Sequence, residues 1–513
     1  MAKNRAKTFM GFSLSLPDPL AKRRNYSVSL KNVTLKILQI SLLLPTLIFA
    51  QPASPTTNDP MPQQALLAIF KRELGNLYQP NKANDYLAAH QAMEKYFAAS
   101  TGEERKAILA MLETSGVDPN VLGRLARIRS AWPALTGGGV YYVNEHIGPM
   151  DAHYFLGVPK TYDRATPWPL VVKLPTADAF VGNAKPNADD VQRIYTDWVS
   201  AEIAHHPDAL VIMPLLNLDD LWGPSYAGMN SVIGPILHVG ERANVDVART
   251  YLIGHSMSGH AAWNLPLHYP TYFTGTNPLA GSASGDWQRL RIRNLANLLV
   301  VPWADTDDKM IKVDFTRQLV TLLKRFKIDV DYTETKGIGH VPTDAIADQC
   351  YAKLRARKRE LYPKQIVLQS NRPETIFNRI DWLQIYQPMN AGDEKKMFFK
   401  NKPGHMTVMS NTWSVQASRD GNHFDVTTDN VEIFRILVND QMIDFGKPVT
   451  VTVNKRPRFE GMVKPDVEQM LNDQVFLGRG FRYFTGVIDI DLAPPPTTST
   501  RPSSQQSEQT PGR

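Results

Sequence analysis

Cysteine is almost missing from this chain. Cys350 is the only one in 513 residues, so no internal disulfide can form and no thiol pair is available for redox chemistry. A chain of this size must then be held by its core. Metal and phosphate motifs are missing too. There is no H-E-x-x-H, and His205-His206 before Pro207 is not read as a metal pair. No glycine-rich phosphate loop links a strand to a helix. Neither a metal nor any other cofactor is expected. No repeat recurs at solenoid or propeller spacing. Net charge of one sign is absent from most of the molecule. The 57 Lys/Arg and 50 Asp/Glu give a formal +7. Residues 1–36 hold eight bases and one acid, which leaves 49 of each beyond them. A neutral body has no general attraction for phosphate backbones, so nucleic acid is not an expected partner.

Long apolar runs are scarce. The exception is Ile37–Phe49, 13 residues that follow the basic stretch and precede Ala50. Basic stretch, short apolar run and small residue read as a secretory signal peptide over 1–50, and the protein as exported, periplasmic or extracellular. The run is short for a bilayer span. A membrane is a partner only if this segment stays uncleaved.

What is present falls into blocks. Residues 51–60 are rich in Pro, Thr and Ser and read as a linker. Residues 61–135 are helical in pattern: Thr101-x-x-Glu104 is a capping box, and Asp118-Pro119 opens another helix. From 136 to 360 apolar runs alternate with helical stretches. Strands are expected at Leu170–Leu174, Ala209–Met213, Thr250–Ile253, Asn297–Val301 and Ile328–Tyr332, with helices at 189–205, 230–243 and 313–327. That alternation predicts a parallel sheet covered on both faces. From 361 to 492 the texture changes to runs of period two, such as Val431–Val438, separated by turn residues such as Asp420-Gly421. It reads as a separate all-β, sandwich-like unit. The Pro/Ser/Thr-rich tail, 493–513, is expected to be disordered. The fold class expected is α/β, with a helical segment in front and an all-β domain behind.

The chemistry gathers at Gly254-His255-Ser256-Met257-Ser258-Gly259. Strand, sharp turn, Ser and helix is the context of a nucleophile elbow, which pushes the Ser oxygen out of the sheet. Gly254 is small at −2, but the +2 residue is Ser258 rather than Gly. A Ser hydroxyl is a poor nucleophile until a base takes its proton and a carboxylate orients that base. On this type of sheet the acid and then the His follow the Ser in the chain. His340 lies in Gly337-Ile-Gly-His340 after the Ile328–Tyr332 run. Asp307 lies after the run ending at Val301, with Asp305 and Asp308 as alternatives for the acid. His255 and His260 flank Ser256 and are expected to be structural.

These residues together resemble the α/β-hydrolase domain of the prolyl oligopeptidase, dienelactone hydrolase and esterase families. The likeness covers about 140–360. It rests on Gly254–Trp263, His268-Tyr-Pro270, Asp307 three residues before Met310 (the families' D-x-x-V), and Gly337–His340 (their G-x-G-H). It implies Ser256 as nucleophile, His340 as base and Asp307 as acid. The oxyanion would be held by the N–H of Met257 with that of Thr176 or Ala177. Two departures stand out. Leu174-Pro175-Thr176-Ala177 replaces the families' His-Gly after an early strand, and Pro175 has no N–H to give. Pro302-Trp303 replaces a second His-Gly before the acid. The β region is similar to accessory domains that trail such hydrolases in secreted bacterial proteins. The expected substrate is a small-molecule or polymer-linked ester. The alternatives are a peptide bond, as in prolyl oligopeptidases, or a degenerate hydrolase that only binds.

Overall fold

The computed structural model of the chain describes residues 58–147, 150–176, 188–216, 222, 225–283, 285–398 and 405–493. The expected signal segment, most of the linker, nearly all of the tail and Ala177 lie outside the described residues.

Four helices come first: α1 Gln63–Leu74, α2 Ala83–Ala98, α3 Gly102–Glu113 and α4 Pro119–Ala126. The start signals act as expected. Thr101 and Glu104 form a reciprocal capping box on α3. Asp118 caps α4, whose first residue is Pro119.

A mixed sheet follows, made of β1 Val140–Ile147, β2 Met150–Gly157, β3 Trp168–Leu174, β4 Leu210–Pro214, β5 Val245–His255, β6 Gly275–Leu279, β7 Trp303–Asp305 and β8 Thr333–Thr335. Their spatial order is β1-β2-β4-β3-β5-β6-β7-β8, with short Leu299–Val300 beside β6. β2 runs antiparallel to β1 and β4. All other neighbours are parallel. Parallel neighbours need crossovers, and among the described residues the longer helices that accompany them are α5 Ala188–His205, α6 Tyr226–His238, α7 Met257–His268, α8 Val313–Arg325 and, after the last strand, α9 Asp344–Arg355. Both faces of the sheet are covered. Val171 and Ile253 enter one core with Tyr195, Val199 and Leu354. Val172 and Leu252 enter another with Val232, Ile233 and Leu265. This is the period of two in a sheet buried on both sides.

Three strand expectations change. β6 was not expected, because Gly-Thr-Asn-Pro-Leu carries no apolar run, yet all five residues are buried. Two of its side chains donate internally: Thr276 to the Ala262 carbonyl and Asn277 to the Val301 carbonyl. The 297–301 strand is broken at Pro302, which lacks an N–H, and resumes as β7. The last strand falls at 333–335 rather than 328–332; only Val330 of the earlier stretch bridges, to Val300.

The C-terminal region carries several sheets. A five-stranded sheet contains Gln365–Ser370, Trp413–Asp420, His423–Asp429, Val449–Val453 and Arg456–Gly461, and a four-stranded sheet contains Arg379–Ile380, Leu383–Pro388, Val431–Val438 and Gly486–Asp491. The region is not all-β, however. Helix α10, Val467–Leu477, is capped by Asp466 and buries Val467, Met470, Leu471 and Gln474, a helical spacing that lies among the period-two runs. Nor is its core separate. One apolar cluster joins Phe70, Met93 and Leu125 of the N-terminal helices to Phe424, Phe434, Met470 and Tyr483. Polar ties cross the same seam: Arg124 to Asp440 at 2.6 Å, Glu94 to Arg479 at 2.8 Å, and Thr485 to Asn120 at 2.6 Å. Among the described residues no helix is long and apolar enough to cross a membrane.

Candidate active site

β5 delivers Ser256 at its carboxyl end, and α7 starts at the next residue. Ser256 has φ 57° and ψ −115°, a left-handed conformation that costs an L residue on the order of 1–3 kcal/mol. The surroundings hold it there. The Ser256 N–H donates to the Leu279 carbonyl at 2.9 Å. A Cβ on Gly254 would come within 2.1 Å of the Ser258 carbonyl oxygen, and one on Gly259 within 2.5 Å of the Leu279 oxygen. The tight glycine on the helical side is therefore Gly259, at +3. Ser258, the departure at +2, serves the turn. Its fully buried hydroxyl accepts from the His255 N–H at 3.0 Å and donates to the His255 carbonyl at 2.9 Å.

The structure brings Ser256 and His340 together: Nε2 of His340 lies 2.8 Å from the Ser256 Oγ. The third member is Asp308. Its Oδ2 lies 2.9 Å from Nδ1 of His340, while its Oδ1 accepts from the N–H groups of Met310 and Ile311 at 2.8 and 2.9 Å. The Asp308 side chain is 1 % exposed and that of His340 13 %. The expectation of Asp307 is corrected. Asp307 is exposed, and its backbone N–H is engaged by Asp305. Three aspartates in four positions hid the register. Counted from Asp308, Ile311 takes the apolar place of D-x-x-V, a β-branched residue where the count from Asp307 offers Met310.

Asp305, the other alternative, is fully buried at the end of β7 and does not face His340 with its carboxylate. It accepts from Thr335, Asp307, Ile338 and Gly339. His255 donates from Nε2 to the His340 carbonyl at 2.8 Å. Nδ1 of His260 sits 2.7 Å from the Ser282 carbonyl oxygen. Both flanking histidines thus brace loops around the elbow.

On the oxyanion side, Met257 is the first residue of α7, so its N–H has no acceptor four residues back in the helix. Thr176 follows β3, and Ala177 lies outside the described residues. The Pro175 carbonyl accepts the indole N–H of Trp222 at 3.0 Å. The Pro175–Thr176 peptide is trans, so the Thr176 N–H points away from that bond. Among the described residues no three His, Cys, Asp or Glu side chains gather as a metal site.

No protein-family model matches the chain, and no curated protein is similar to it. Solved structures are. One is a thermostable esterase: 21 % identity, TM-score 0.35, covering 43 % of this chain and 63 % of its own. Another is dipeptidyl peptidase 4 of Porphyromonas gingivalis: 10 % identity, TM-score 0.31, covering 42 % of this chain and 35 % of its own. A third is a CE1 ferulic acid esterase from Anaeromyces mucronatus: 13 % identity, TM-score 0.31, covering 43 % of this chain and 89 % of its own. This chain thus spans less than two thirds of the first two. The mixed sheet itself, antiparallel only along β2, carries Ser256 at the end of β5.

Proposed function

We propose that the protein is a serine hydrolase of carboxylic esters. The observation that carries this reading is the unbroken chain Ser256 Oγ, His340, Asp308, with contacts of 2.8 and 2.9 Å, at a strained elbow. His340 takes the hydroxyl proton as Ser256 attacks the ester carbonyl. Asp308 fixes the imidazole with Nδ1–H toward itself and stabilises the imidazolium that forms. The N–H of Met257 and that of Thr176 or Ala177 receive the developing oxyanion, a contribution whose loss typically costs about 10²–10³-fold in turnover. His340 then protonates the leaving alcohol, and water, activated the same way, releases the acid.

The organisation that fits is a catalytic unit over 136–360 seated on a body built from 61–135 and 361–492. Residues 1–50 direct export. The test is a panel of acetyl, longer-chain acyl and aryl esters beside Xaa-Pro amides, run with wild type and Ser256→Ala. Ester turnover lost in the variant supports the reading. Amide turnover alone would move it to a peptidase, and binding without turnover would end it.

A further inference from the structure

Asp305 is a carboxylate with no exposed surface, and among the described residues no Lys or Arg pairs with it. Neutral donors meet it instead. One oxygen accepts from the Thr335 hydroxyl at 2.7 Å and the Ile338 N–H at 3.1 Å. The other accepts from the Asp307 N–H at 2.8 Å and the Gly339 N–H at 3.1 Å. Gly337 and Gly339 both have φ +85°, a conformation that costs glycine little. It turns two consecutive N–H groups onto one carboxylate, as in an anion-binding nest. Trp303 donates to the Thr335 oxygen at 3.0 Å, which leaves the Thr335 proton for Asp305. Burial by itself would raise the Asp305 pKa; the four donors outweigh it and hold the group below the ordinary value, hence charged.

Three of those donors belong to the segment that ends in His340, and the fourth is the N–H of Asp307, the residue before Asp308. Resting on the catalytic reading of Ser256, His340 and Asp308, we propose that Asp305 is the positioning residue of this site: it locks the acid loop and the histidine loop in register, so that Nδ1 of His340 meets Asp308 and Nε2 meets Ser256. Asp305 touches no reacting atom. Its work is to stop the two loops sliding, where misplacement by about 1 Å can cost about 100-fold in rate. The His255 bond to the His340 carbonyl restrains the same loop from the elbow side, and the His255 ring stands 5.0 Å from that of His340.

The test uses the full chain with Asp305→Asn, Thr335→Val and Thr335→Ser. An amide at 305 keeps the volume but can accept on only one side, so two donors lose their partner. Four readouts are taken: kcat and KM on an ester, the rate of Ser256 modification by a fluorophosphonate, the pH–rate profile, and the downfield proton resonance of His340 Nδ1–H. For Asp305→Asn the expected result is kcat and modification rate down about 100-fold, with KM near wild type. The pH–rate profile departs from that of wild type, and the resonance is lost or broadened. Thr335→Val shows the same changes in smaller degree, and Thr335→Ser restores them. A folded Asp305→Asn with wild-type kcat, profile and resonance would overturn the proposal. So would a loss confined to the number of titratable sites, each with unchanged kcat and profile, because that is what a merely structural residue gives. If wild type turned over no ester, the catalytic reading would fall, and the resonance would still decide whether Asp305 positions His340.

Discussion

Around Ser256 the bonds that shape the turn span short stretches of chain, from Ser258 to His255, three apart, to Ser256 and Leu279, 23 apart. In the body the ties join residues hundreds of positions apart: Arg124 to Asp440 across 316 and Glu94 to Arg479 across 385. Gly123 of α4 leaves no room for a Cβ, which would come within 2.4 Å of the Tyr483 ring. The site is a local turn plus two loops carried to it by strand ends. The body is two remote segments closed on one core. The first depends on geometry held to fractions of an ångström, the second on burial spread over many side chains, so substitutions should separate activity from stability.

The largest effect falls on the site. Asp308→Asn should lower kcat by about 10⁴-fold, as loss of the orienting carboxylate does in a Ser-His-Asp set. Asp307→Asn should stay within about threefold, since exposed substitutions away from packed features do little. Steady-state kinetics on the two proteins, matched for folding, decides between neighbouring aspartates.

The difference between them also marks where sequence reasoning stopped. Ser256 and His340 were legible, because a strand, a small-residue turn and a Gly-x-Gly-His loop are local signals. Asp308 was not separated from Asp307, because the choice depends on which carboxylate turns inward, and pattern alone cannot place a side chain to one residue. β6 was missed because its Thr and Asn are buried by neighbouring strands rather than by hydropathy. The shared core of 61–135 and 361–492 left no trace in either segment alone. An amphipathic helix announces that it has a partner but not which one.

The next effect tests where the body meets the region of the large sheet. Asp381 is fully buried, with Arg359 at 2.8 Å and Arg482 at 2.9 Å. Asp381→Ala would leave two buried guanidinium groups unpaired and should cost about 3–5 kcal/mol in denaturant unfolding. Turnover of the folded fraction should change little, because Asp381 bonds Thr271, Arg359 and Arg482 and not Ser256, His340 or Asp308. A collapse in kcat without loss of stability would show that body and site are coupled.

The smallest effect is a pH dependence. His268 is fully buried, with no hydrogen-bond partner on either ring nitrogen among the described residues, and burial, with Arg291 and Arg372 nearby, holds its pKa well below the ordinary value. Folded, it stays neutral. Unfolded, it takes a proton below about pH 6.5. Its contribution is therefore complete above that pH and is lost as the pH falls, by up to about 1.4 kcal/mol per pH unit. The pKa values of His90 and His238 are also lowered, chiefly by burial, and act in the same sense. Tm should decline from pH 7 to 5, and His268→Phe should make the decline shallower. An equal slope in both proteins would remove His268 from the account.

The central claim is that Ser256 is an activated nucleophile beside a working oxyanion site. Its most direct test is reaction of the purified protein with a fluorophosphonate, read by intact mass. The account predicts one adduct per chain on wild type, none on Ser256→Ala, and a rate that falls with Asp308→Asn but not with Asp307→Asn. A well-folded wild type that forms no adduct, or an adduct that survives in Ser256→Ala, would contradict it.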